Sequence, residues 1–354
     1  MECGVQVNLG EGLLQNSGFS FDCDFISGTE KGTNITSVST TSVKTQTNLI
    51  SCTTSSTNTD ISELFSIPVI PFLKFGDKQF KSFCGVSREF FDFLLFLTSE
   101  NLSESRNISK ETKILLLLVK FKLNVSFAVL SSFFGLCEKT TRKLFYVVLD
   151  AVFNSVKDFV IWLDKPTIQA RMPNSFKAFY PKTRAIIDAS EIECERPKTV
   201  HQRVQMYSSY KSRFTVKFLV AIAPSGEITF ISKCYGGQTT DTEITVKSGF
   251  IELIEPGDVI LADKGFPTIE TELNEAGGIL IMPPFKSGSR QFSESQNKDG
   301  YECASVRIHV ERAIARLKIF EILNFLPVYL LPHIDKILRI ISFFCNCFPD
   351  LIQT

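Results

Sequence analysis

Apolar and polar positions along this chain change their spacing twice. After Phe25 few large apolar side chains occur before residue 63, and from Asn34 to Asp60 more than half of the positions are serine or threonine. Such a composition buries too little surface to offset chain entropy, so residues 1–63 are expected to be disordered. From Leu64 a helical period takes over. Phe83–Thr98 reads as a helix with Ser87 as N-cap, and Ser109 caps a second helix through about Lys122. Ser126–Phe134, a turn at Gly135-Leu136-Cys137 and Glu138–Phe153 then fit a helix-turn-helix. Beyond Trp162 strand-like segments dominate. Arg184–Ser190, Phe214–Ala223 and Glu227–Cys234 read as strands, the last two joined by the turn Pro224-Ser225-Gly226.

Gly236-Gly237 breaks that run, and Thr239–Ile254 is predicted to be a helix capped by Thr240 or Asp241. Asp258–Ala262 and Gly278–Met282 are short apolar strands, followed by a polar stretch from Lys286 to Gly300 and a helix over Ser305–Lys318. In that helix Val306, Val310, Ile314 and Leu317 form an apolar stripe, and Arg307, Glu311, Ala315 and Lys318 lie on a neighbouring face. The order of elements predicts a mixed α/β fold, a central sheet flanked by helices, behind a small all-α domain. The expected division is a Ser/Thr-rich segment 1–63, a helical domain 64–155 and a catalytic domain 156–354.

Charge changes this picture little. Lysine plus arginine equal aspartate plus glutamate at 38 each. Residues 109–150, however, hold seven bases against three acids, a modest hint of a polyanion partner. Within the helix-turn-helix reading, Lys139, Thr140, Arg142 and Lys143 lie early in the second helix, where such motifs meet DNA. The ten cysteines show no C-x-x-C spacing, which suits a reduced, intracellular protein. No signal-peptide pattern or membrane-length apolar run is read, so no membrane partner is expected.

The acids matter more. Asp188 stands inside a predicted strand directly after Ile186 and Ile187, where an unpaired carboxylate is costly. Asp263 follows the strand ending at Ala262, and ligand sites of open α/β sheets gather at the carboxyl ends of strands. Glu311 could simply pair with Arg307 one turn earlier, for about 0.2–0.5 kcal/mol. If the three acids converge, charges near 4 Å repel by roughly 4 kcal/mol at an effective dielectric of 20. Such a cluster takes up protons or binds cations, and oxygen ligands suit Mg2+ or Mn2+, with two ions able to drive in-line phosphoryl transfer. Glu191 alternates to the other strand face and Asp241 fits a helix N-cap, so neither is counted as a ligand.

RAIIDASEI, SGEITFISKCYGGQTTDTEIT, GDVILADKGF, IMPPF and SVRIHVERAIARLK, in that order, resemble the catalytic domain of PIF/Harbinger-type DDE transposases and their host-domesticated nuclease relatives. The resemblance covers about residues 105–330. It implies a ribonuclease H-like fold with a five-stranded mixed sheet, and Asp188, Asp263 and Glu311 as first, second and third catalytic, metal-holding acids. It further implies two divalent ions, cleavage and strand transfer of transposon ends and target DNA, and hence a nuclear location. Lys264, Arg307 and His309, with Lys286 and Arg312, are candidates for touching that DNA. A homo-oligomer and an accessory DNA-binding protein are compatible partners. A domesticated relative that binds DNA or proteins without catalysis is the alternative. Many such proteins begin with a zinc-binding THAP finger, and Cys3, Cys23 and Cys52 lack its spacing.

Overall fold

The computed structural model describes residues 71–103, 108–283, 307–349 and 351. The expectations for residues 1–63, Leu64, Pro284, Lys286, the 286–300 stretch, Ser305 and Val306 lie outside the described residues.

Five helices come first: α1 (Asp77–Cys84), α2 (Arg88–Thr98), α3 (Lys110–Leu123), α4 (Phe127–Phe134) and α5 (Glu138–Val156). Ser87, Ser109 and Ser126 cap α2, α3 and α4, each accepting a backbone N–H three residues on at 3.3 Å. The single helix expected over Phe83–Thr98 is two. Gly85 ends α1 at φ +78°, a left-handed conformation that glycine adopts without penalty, and a Cβ there would lie 2.7 Å from the Phe320 ring. Gly135, at φ +62°, makes the turn between α4 and α5. Burial reduces the basic character expected of 109–150. Lys113 and Lys120 are 2% and 0% exposed, and the Lys120 ammonium donates to the Val125 carbonyl at 2.7 Å and to Asn124 Oδ1 at 3.1 Å. These bonds hold the bend that redirects the chain from α3 into α4. Burial pushes the Lys120 amine down to about 8.

The short helices α6 (Lys165–Ala170) and α7 (Asn174–Phe179) lead into the sheet. Strand β1 (Thr183–Cys194) is followed by α8 (Val200–Met206), β2 (Tyr207–Ser208), β3 (Arg213–Ile222), β4 (Ile228–Ile231) and β5 (Tyr235–Gly236). Then come α9 (Asp241–Lys247), β6 (Val259–Leu261), α10 (Glu270–Glu275) and β7 (Ile279–Ile281). A helix α11 over 307–317, β8 (Phe325–Leu326) and α12 (Ile334–Asn346) complete the described chain. β3 runs antiparallel to β1 and carries β4 antiparallel on its far side, whereas β6 is parallel to β1 and β7 to β6. This mixed sheet flanked by helices is consistent with a ribonuclease H-like DDE domain.

Asp258–Ala262 and Gly278–Met282 each lose one residue at either end, and two predicted segments stop well before their expected ends. The strand expected to run to Cys234 stops at Ile231, because the Ser232 hydroxyl accepts the Leu219 N–H at 2.8 Å, the donor that a continuing ladder would give to the Ser232 carbonyl. The helix expected to Ile254 stops at Lys247, and Gly249 at φ +80° redirects the chain.

Strand alternation sorts the core into two layers. Ile186, Ile192, Phe218, Val220, Ile222 and Leu261 face one cluster, while Ala185, Ile187, Leu219, Ala221 and Ile260 face a smaller one. The larger cluster also takes in α2, α3, α5, α11 and α12. Phe344 of α12 is fully buried, with ring centroids of Phe90, Phe320 and Phe121 at 5.2, 6.0 and 6.4 Å. Residues 68–354 accordingly form one compact unit. Among the described residues no helix is long and apolar enough to cross a membrane.

Candidate active site

The sheet register gathers the acids. In the parallel pair β1–β6, Ile186 stands opposite Leu261, so Asp188 and Asp263 are each two residues further on, at the same level. Both share the parity of Ile186 and Leu261, whose side chains enter the larger cluster, and that face is covered by α11. α11 is anchored by Val310, Ala313 and Leu317, all buried. This spacing leaves Arg307 half-buried and Glu311 exposed on an adjoining face.

The link between them is a guanidinium. Arg307 Nη2 lies 3.3 Å from Asp263 Oδ2 and 3.0 Å from Glu311 Oε1. Asp263 Oδ1 also accepts the Lys264 N–H at 2.6 Å, and Asp188 Oδ1 the Ala189 N–H at 2.8 Å. Burial pushes the Asp188 carboxyl up to about 6. The Ala189 N–H and the Arg307 charge hold it down, while the negative charges of Asp263 and Asp241 push it further up. Asp188 is thus an acid whose negative charge the fold disfavours and a bound cation would offset. Its response to Arg307, Asp263 and Asp241 places these groups in one electrostatic neighbourhood.

Other expected residues lie elsewhere. His309 is 8% exposed and its ring centroid is 5.9 Å from that of Phe176 in α7, two positions round the helix from Arg307. Burial, then Arg312, pushes its pKa down. It is buried against α7 and so offers little surface to a bound strand. Arg312 and Lys264 are exposed. Lys139, Thr140, Arg142 and Lys143 are exposed on the first turns of α5, remote in sequence from the acids. Arg142 is held by Glu138 at 2.6 Å and lies 5.1 Å over the Phe127 ring.

Asp241 corrects the sequence reading. The cap of α9 is Thr240, whose hydroxyl accepts the Glu243 N–H at 3.2 Å. Asp241 instead points to Lys217, at 3.1 Å, and Lys217 also lies 3.5 Å from Glu191. A Cβ on Gly265, in the turn after Asp263, would come within 3.2 Å of Asp241 Oδ2. That glycine lets the turn close on the aspartate. Glu191 is itself tied down by Thr215 Oγ1 at 2.8 Å and Ser208 Oγ at 3.3 Å, on the opposite face from Asp188. In sequence Asp241 stands beside a second residue able to cap, Thr240, and only the structure shows that Thr240 takes the cap and leaves the Asp241 carboxylate for Lys217.

Among the described residues no three acidic, histidine or cysteine side chains converge closely enough to hold a metal ion. The donors nevertheless fit a hard divalent cation in kind. They are carboxylates, and two of them are already gathered on a positive group, the protein's own guanidinium. Arg307 is a stand-in that must yield its place before the acids could share an ion. Its Nε is buried without a partner among the described residues, so these do not hold the guanidinium in that position by a full set of hydrogen bonds.

No curated protein and no solved structure matches the chain at significance. Residues 187–346, which hold all three acids and α11 and end with α12, match the family described as DDE superfamily endonuclease, and the match supports that superfamily for this segment.

Proposed function

We propose that this protein is a metal-dependent DNA endonuclease of the DDE type, of the PIF/Harbinger kind, that cuts and transfers DNA ends by in-line phosphoryl transfer. The observation that carries this reading is the shared level and face of Asp188 and Asp263, with Glu311 brought to Asp263 through one guanidinium. Asp188, Asp263 and Glu311 would hold divalent ions, Mg2+ or Mn2+, which supply charge neutralisation and activation of the attacking oxygen. In that reaction a water or 3′-hydroxyl gives up its proton to solvent as its oxygen attacks phosphorus, the opposite P–O bond breaks, and the leaving oxygen takes up a proton. The chain's own contribution is positional. β1 holds Asp188 within a rigid strand, the segment just beyond β6 holds Asp263, and α11 presents the third acid while Arg307 relieves their repulsion until substrate arrives. In this reading α4 and α5 act as a helix-turn-helix, with Lys139, Thr140, Arg142 and Lys143 on DNA, and the protein works in the nucleus.

The test is nicking of a supercoiled plasmid by the purified chain with Mg2+ or Mn2+, beside Asp263→Asn. The expected result is metal-dependent nicking that falls at least a hundredfold in the variant, the scale of losing a transition-state charge stabiliser, roughly 10²–10³. Equal nicking by both proteins would refute the assignment. DNA binding without nicking by either would turn the reading to the domesticated, non-catalytic binder.

A further inference from the structure

Beside the acids lies a second feature that the nuclease reading does not use. A cleft of about 430 Å³ opens where β1 and β3 meet the end of α11, lined among others by Glu191, Glu193, Tyr210, Lys211, Arg213 and Lys318. Its carboxylates are already engaged. Glu193 is bound by Arg213 at 2.6 Å, and Glu191 by Thr215, Ser208 and Lys217. Two cations remain. Lys211 sits 5.0 Å over the ring of Tyr210, which is 85% exposed, and the half-buried Lys318 has no carboxylate partner among the described residues. A partly desolvated ammonium facing an open polar cleft without a counter-ion is poised for an anion. Burial and Lys211 push the Lys318 amine down, while Glu191 and Asp188 push it up, so the cleft lies within reach of the catalytic acids' field.

Position along the helix says which anion. Lys318 follows Glu311 by seven residues, two turns, so both face one side about 10 Å apart. B-form DNA rises 3.4 Å per nucleotide along a strand, which makes that spacing about three nucleotides. We propose that this cleft is a backbone subsite, in which Lys318 and Lys211 hold a phosphodiester of the bound DNA strand about three nucleotides from the one being cut, with Tyr210 beside it as a stacking platform for a frayed base. The subsite rests on the nuclease reading above and extends it from chemistry to the path of the substrate. Glu191 and Glu193 have a part as well, since they pair with Lys217 and Arg213 and so leave the two lysines as the cleft's net charge.

The experiment is fluorescence anisotropy of the full chain with a labelled DNA duplex carrying a single-stranded flank, in EDTA, across a series of salt concentrations. Lys318→Gln is expected to lower the slope of log K against log salt by about 0.9 on duplex or 0.7 on single strand, and affinity by roughly eightfold at 0.1 M salt. Lys318→Arg should keep the slope, and Lys211→Gln should lower it as Lys318→Gln does. A thermal melt of each variant confirms that it is folded. Unchanged slope and affinity in the folded Lys318→Gln, Lys211→Gln double variant overturn the subsite while leaving the nuclease reading intact. No binding of DNA by the unaltered chain overturns both.

Discussion

At the scale of single residues, Asp188 is the most informative group. Its carboxyl ionises near 3.8 in an unfolded chain and is pushed up to about 6 by burial in the fold. Between those values the folded state binds more protons than the unfolded one, so this residue lowers stability as pH rises from about 4 to 6, with the full cost present above 6. At 1.36 kcal/mol per unit that cost is on the order of 3 kcal/mol. Asp188→Asn keeps an oxygen for the Ala189 N–H and removes the charge. In the absence of divalent ions it should be more stable than the natural chain at pH 7.5, by up to about 3 kcal/mol, and nearly equal to it at pH 4. Urea midpoints at the two pH values measure this, and an offset independent of pH would rule out buried charge as its origin. Sequence marked Asp188 as costly because it follows Ile186 and Ile187. It gave no hint that Arg307 would lie between Asp263 and Glu311, because the Asp263 contact spans 44 residues.

Among the elements, backbone approach sets what sequence could show only as a break. Gly236-Gly237 looked like an interruption of a strand. In the structure the pair lets β5 run against the end of α8, where a Cβ on Gly236 would sit 2.3 Å from the Gln205 carbonyl oxygen and one on Gly237 2.2 Å from Thr215 Oγ1. Gly236→Ala should therefore cost more than about 1 kcal/mol, the lower range of overpacking, because a backbone atom cannot rotate away as a side chain can. Thermal denaturation would show it, and an unchanged midpoint would mean that α8 is free to shift. The same substitution should loosen the seat of Met206 and Tyr207 and with it the turn that carries Tyr210 and Lys211. Caps, by contrast, were legible: Ser87 and Ser109 each sit where a local hydrogen bond decides the start of a helix, and Ser126, read as the first residue of its helix, caps it in the same way.

For the whole molecule, the helical segment and the sheet share one core. Phe344 is fully buried between Phe90 and Phe121 of the early helices and Phe320, just after α11. Phe344→Ala should lose about 3–5 kcal/mol, a large share of the roughly 5–15 kcal/mol that holds a domain together. Because the lost contacts reach both parts, calorimetry of residues 68–354 should show one transition that moves down as a unit. Two transitions, with only one displaced, would establish that the helices and the sheet fold separately. The periodicity of each segment predicted amphipathic faces, and no periodicity states which faces meet.

What the sequence alone determined follows from local physics: caps, the β3–β4 turn, the alternation that sends Asp188 and Glu191 to opposite faces, and the stripe that turns Glu311 away from the core. The tertiary structure decided which acids became neighbours, since parallel pairing of β1 with β6 sets Asp188 level with Asp263. It also took His309, Lys113 and Lys120 out of contact with solvent and brought Asp241 and Lys217 to the edge of the site. Helix and strand starts depend on residues three or four apart, which a sequence displays. Burial and charge pairing depend on residues tens to hundreds apart, and only the packed chain brings those together.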